Sequence, residues 1–126
     1  MTKEDVELYK KIFPQISGLY KEIGLLSKKN PNDTVNIFKL KFVNKNIEDA
    51  NCLLGKDKPY QDFDCFGEDS CPTTSDVVMM LDQYISALER LKAGNTISKK
   101  VQSSDWGIDV QQSFWVINGK DSDIHA

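Results

Sequence analysis

Asp62, Asp64 and Gly67 stand at the first, third and sixth places of a calcium-loop pattern. Asp62 and Asp64 alone also form the Asp-x-Asp pair that can hold a divalent ion beside a phosphate. The calcium pattern then breaks, because Phe66 and Thr73 occupy the fifth and twelfth places, where oxygen ligands including a bidentate Glu are required. Zinc is disfavoured on donor supply: Cys52, Cys65, Cys71 and His125 are the whole stock of thiols and imidazoles, and Cys65 and Cys71 are widely spaced. Nucleophilic catalysis needs a base fixed beside the nucleophile, and a histidine one residue from the end is poorly held. Asp62, Asp64, Glu68 and Asp69 supply carboxylates for acid and base work, but residue types alone create no pocket for it. No metal, no other cofactor and no catalytic residue is expected.

Charge is more informative than any of these patterns. Residues 59 to 89 contain Asp62, Asp64, Glu68, Asp69, Asp76, Asp82 and Glu89 without one Lys or Arg. Residues 1 to 58 hold eleven Lys against eight acids, so the net charge of -3 conceals a local concentration of negative charge. Such a surface steers a basic partner. Direct nucleic-acid binding is disfavoured, because a phosphate backbone asks for a basic stripe, and Lys28-Lys29 and Lys99-Lys100 are expected as ordinary solvated pairs. Spaced carboxylates can instead mimic phosphates in a cationic groove. Tyr60, Phe63 and Phe66 are interleaved with Asp62, Asp64, Glu68 and Asp69, and two roles are open to them: desolvated anchors in an interface, or core pegs under a loop whose acids are its wet side.

The elements that must position these residues can be sketched from periodicity and caps. The 126 residues, 40% hydrophobic, fit one globular domain spanning 1–126. Thr2 and Asp5 can cap a helix on which Val6, Tyr9, Ile12, Phe13, Ile16, Tyr20 and Ile23 recur at helical steps, with Pro14 and Gly18 leaving open a kink or a break. Val35 to Val43 alternates, with Phe38, Leu40 and Phe42 on one face, and is expected as a strand. Asn46 is then expected to cap a short helix through Ile47, Ala50, Leu53 and Leu54, ended by Gly55. Thr74 or Ser75 can cap the clearest helix, whose Val77, Met80, Leu81, Tyr84, Ile85, Leu88 and Leu91 form a stripe up to Gly94-Asn95. Trp106, Ile108 and Val110 alternate, and Phe114 to Ile117 lead into Asn118-Gly119, a hairpin-turn pair. The expected class is α+β, two main helices packed on a small antiparallel sheet. The charged N-terminal segment and the lack of a long apolar run point to the cytoplasm and against a membrane, where the three thiols would stay reduced.

Pro72, Thr73, Thr74, Ser75, Asp76, Val77 and Val78 open an amphipathic helix with Gln83, Tyr84 and Leu88, preceded by Phe63-Asp64 and followed by Phe114-Trp115-Val116. Over roughly residues 47 to 119 this arrangement resembles small bacterial immunity proteins of contact-dependent growth inhibition and related polymorphic toxin systems. The resemblance implies a protein that binds one cognate toxin domain, usually a nuclease, and blocks its active site. The residues expected to meet that basic partner are Tyr60, Asp62, Phe63, Asp64, Phe66, Glu68, Asp69 and Asp76. Two alternatives share parts of the argument: a small metal-dependent enzyme or ligand-binding domain built on Asp62 to Asp69, and a phage inhibitor of a host defence nuclease.

Overall fold

A computed structural model describes residues 1–102, 107 and 109–126. Among these residues the chain forms α1 (Lys3–Lys29), α2 (Ile37–Leu54), a 3-10 turn (Gly55–Asp57), α3 (Thr74–Gly94), and strands β1 (Thr96–Gln102), β2 (Asp109–Ile117) and β3 (Lys120–His125). The α+β class is as the sequence predicts. The short middle helix is longer than expected, and the strand expected before it is absent from the described residues.

α1 begins on the expected capping box: the Thr2 hydroxyl accepts from the Asp5 N–H at 3.1 Å, and the Asp5 carboxylate accepts from the Thr2 N–H at 3.0 Å. It runs unbroken through Pro14, which lies on its exposed side, so the carbonyl that a proline cannot satisfy is left within reach of water. Val6, Tyr9, Ile12, Ile16 and Ile23 are its buried stripe.

The strand expected over Val35 to Val43 is the first half of α2. Asn36 caps this helix, its side-chain oxygen accepting from the Lys39 N–H at 2.8 Å. Leu40, Val43, Ile47, Ala50 and Leu54 then face the core at three- and four-residue steps. Phe38 and Phe42, which gave the segment its alternating look, are one helical turn apart on the outside, ring against ring at 5.0 Å. Asn46 is therefore no cap. It is buried at mid-helix, its amide donating to the Phe42 carbonyl at 3.0 Å.

α3 is capped by Thr73 rather than Thr74 or Ser75, through a second capping box with Asp76. Thr74 instead stitches this helix to the α1–α2 connection: its hydroxyl donates to the Asn30 carbonyl at 2.8 Å and its N–H to the Asp33 carbonyl at 2.8 Å. The strands form an antiparallel meander in the order β1-β2-β3. Asn118 and Gly119, both at positive φ, make the predicted turn between Ile117 and Lys120. Trp106 and Ile108, assigned to the alternating tail, lie outside the described residues. Trp115 is the sheet's plug into the helical core, edge-on to Tyr9 at 5.1 Å. On the opposite face Phe114 is buried under Lys99, which also donates to the Ser122 carbonyl at 3.0 Å, so Lys99 is not a plain solvated charge. His125 is likewise not loose, since β3 sets its ring 4.6 Å from that of Phe114.

Candidate functional site

The acidic segment leaves the 3-10 turn at Lys58 and returns to helix at Thr74 without regular structure of its own, so its shape depends on side chains borrowed from neighbouring helices. α2 supplies two amides. Asn44 donates to the Phe66 carbonyl at 2.8 Å and accepts from the Phe66 N–H at 2.9 Å, the two-bond pairing that a neighbouring strand would otherwise give. Two turns along the same helix side, Asn51 donates to the Asp64 carbonyl at 2.8 Å, and its own oxygen accepts from the Tyr84 hydroxyl at 2.6 Å. Tyr84 is fully buried in α3, and its hydroxyl is pushed up to about 12, chiefly by that burial. A chain of hydrogen bonds thus runs from the core to the loop backbone.

The aromatic residues divide. Phe63 and Phe66 stack edge-on at 5.1 Å, and Phe63 lies 6.5 Å from Tyr84, so both are half-buried pegs against the helices. Tyr60 is 46% exposed and is the one of the three that faces outward. Between the pegs the carboxylates point to water: Asp62, Asp64, Glu68 and Asp69 are all exposed. Asp64 is held by Lys58, whose ammonium lies 2.5 Å away. Ser70 closes the far turn onto the Gly67 carbonyl. Cys65, beneath the loop, has its thiol raised by burial and then by the neighbouring Glu48.

Asp76 does not join this group. Its carboxylate is engaged in the α3 cap, and Asp82 and Glu89 continue along the helix, Glu89 lying about 20 Å from Asp76 at 1.5 Å per residue. The seven acids that look like one block in the sequence therefore form a loop cluster and a separate helix line. Among the described residues no group of three or more His, Cys, Asp or Glu is placed to hold a metal ion. A hollow of about 400 Å³ lies away from the loop, lined by Tyr9, Phe13, Glu89, Lys92, Ala93 and Thr96. Burial, with a smaller contribution from Glu89, pushes the Tyr9 hydroxyl up to about 12.

The sequence reading missed a second surface altogether. At the amino end of α2, Ile37 (80% exposed), Phe38 (71%) and Phe42 stand in water, with Leu25 and Leu26 of α1 at the same end of the helix pair. Lys39, bridged to Glu22 at 3.2 Å, ties the two helices there. An uninterrupted 37–54 segment behind an Asn cap is the signal that would have revealed it.

The architecture defines a small α+β domain whose shaped feature is a braced acidic loop. No protein family, curated protein or solved structure matches the chain. Among the described residues no helix is long and apolar enough to cross a membrane.

Proposed function

We propose that this protein is an antidote of the immunity type, one that neutralises a basic toxin domain, of nuclease character, by docking its acidic loop into the toxin's cationic groove in the bacterial cytoplasm. The observation that carries the reading is the bracing of residues 58–72. Asn44 and Asn51 hold the loop backbone at Phe66 and Asp64, Tyr84 holds Asn51, Phe63 and Phe66 peg the loop, and the carboxylates of Asp62, Glu68 and Asp69 are exposed, which leaves less backbone ordering to be done on binding. Tyr60 supplies the exposed aromatic anchor, and Asp62, Glu68 and Asp69 supply charge not engaged in an ion pair among the described residues.

The test is coexpression with the toxin domain encoded beside its gene, together with a binding titration at low and high salt. The wild-type chain protects the cells, and salt slows its association. Asp62→Lys with Glu68→Lys is expected to slow association by about tenfold or more, because attraction becomes repulsion at the encounter. Full protection by the double variant, with an association rate indifferent to salt, refutes the assignment.

A further inference from the structure

Among the described residues two buried side-chain polar atoms lack a hydrogen-bond partner, the Tyr9 hydroxyl and the Trp115 indole N–H. They belong to one contact. The two rings lie 5.1 Å apart at 67°, with Tyr9 4% exposed and Trp115 1%. A buried donor without a partner has given up water and gained nothing, so two of them side by side are a cost that packing alone does not explain. Tyr9 also lines the hollow of about 400 Å³ between α1 and the end of α3, a volume within the range of small-molecule sites. Phe13, stacked on Tyr9 at 5.4 Å, adds an aromatic wall.

Glu89 and Lys92 stand on the α3 side of the hollow, three residues apart, the spacing at which an acid and a base on one helix ordinarily join. These two do not. Among the described residues neither takes part in an ion pair. The Lys92 ammonium lies instead over the Trp115 ring, 6.0 Å from its centre, and the Glu89 charge acts on Tyr9, whose hydroxyl is pushed up to about 12 first by burial and then by that carboxylate. At neutral pH the phenol therefore keeps its proton and can donate it to a hydrogen bond.

We propose that this hollow binds a free aromatic α-amino acid. The unmet demand is for an acceptor, because the Tyr9 hydroxyl and the Trp115 N–H are donors, and the ammonium of Lys92 beside them makes a carboxylate the fitting one. A simple carboxylate would also meet Glu89, so the ligand has to bring a cation to that side. An ammonium on the same carbon as the carboxylate does so, placing opposite charges between the open Glu89 and Lys92. The ring of the ligand then lies against Phe13 and Ala93. Glu89 is exposed and Lys92 only half-buried, so neither side chain is locked by packing, and their movement opens the way to the buried hydroxyl. The hollow lies away from the acidic loop, and the inference is independent of the antidote reading.

A nuclear magnetic resonance titration of the full chain with L-phenylalanine, phenylpropanoate and phenethylamine tests the assignment, since the second compound lacks the ammonium and the third the carboxylate. L-phenylalanine is expected to shift the Trp115 indole N–H signal saturably and to raise the melting temperature, with each analogue bound about tenfold more weakly or worse. Glu89→Gln should erase the preference over phenylpropanoate, and Lys92→Met the preference over phenethylamine. Tyr9→Phe separates binding from folding. With the orphan hydroxyl removed, the melting temperature without ligand stays level or rises, whereas L-phenylalanine binds about tenfold more weakly. The proposal is overturned by the absence of a saturable shift with L-phenylalanine, by equal binding of the three compounds, or by a Tyr9→Phe chain that melts lower or binds as tightly as the wild type. Lower melting would mean that a buried water already satisfies the hydroxyl.

Discussion

Replacing Asn44 with Ala tests whether the acidic loop is a built surface or a passive connection. The side chain makes two bonds to one residue, donating to the Phe66 carbonyl and accepting from its N–H, and nothing else near Phe66 provides a ladder. At a net 0.5–1.5 kcal/mol for each bond, their loss costs about 1–3 kcal/mol. Position 44 lies within α2, where Ala is a better helix former than Asn, so the helix itself does not suffer. The cost therefore falls on the loop, as a local opening about 5- to 150-fold more frequent, with 1.4 kcal/mol for each factor of ten. Native-state hydrogen exchange resolves it. The Phe66 amide should lose protection by that factor, whereas the Leu81 and Leu88 amides of α3 should change much less. If the Phe66 amide keeps its protection, the two bonds do not brace the loop. If α3 loses protection in step with it, the loop is part of the global core and not a separately held element.

Leu88 is fully buried on α3, and Leu88→Ala is expected to cost about 2–5 kcal/mol through lost transfer energy and a residual cavity, read as a lowered midpoint in urea. An unchanged midpoint would show that the α3 face is misassigned. The tyrosines predict an alkaline limit. Tyr9 and Tyr84 both have their hydroxyls raised to about 12, mainly by burial, against about 10 in the unfolded chain. The folded state then holds protons that the unfolded state has released, so their contribution is intact below pH 10 and is lost as pH rises towards 12. Thermal melts across that interval should fall, and Tyr84→Phe should flatten the slope.

Most of the helical frame was legible because caps and stripes coincide. Thr2 with Asp5 and the Val77-to-Leu91 spacing predict α1 and α3, and Asn118-Gly119 predicts the hairpin turn. α2 was hidden by its own surface. Burial of Leu40 and Val43 is helical, but the exposed Phe38 and Phe42 overlay a period of two on it, and alternation is a strand's mark. The residues that misled the reading are thus exposed ones, whose side chains the core does not constrain. The acidic loop was legible as charge and composition only. Its bracing depends on Asn44 and Asn51, two turns apart on one side of α2, and a helix expected to begin only at Asn46 does not carry Asn44.

The contact between Tyr9 and Trp115 also sets a schedule for folding in the cell. α1 is made first, and its Tyr9 face waits for a tryptophan that is synthesised about a hundred residues later, some 5–20 s at ordinary ribosomal speed. The amino terminus is closed just as late: the Met1 carbonyl accepts a hydrogen bond from the Asn118 N–H at 2.9 Å, within the β2–β3 turn. α1, α2 and α3 can assemble on one another during that wait, but the side of α1 that Trp115 covers stays open until β2 has left the ribosome. Nascent chains stalled before Phe114 should therefore be held by chaperones or cut by proteases, whereas chains stalled with Asn118 clear of the exit tunnel should resist. Any binding that needs the folded chain therefore begins only when its last strands have been made.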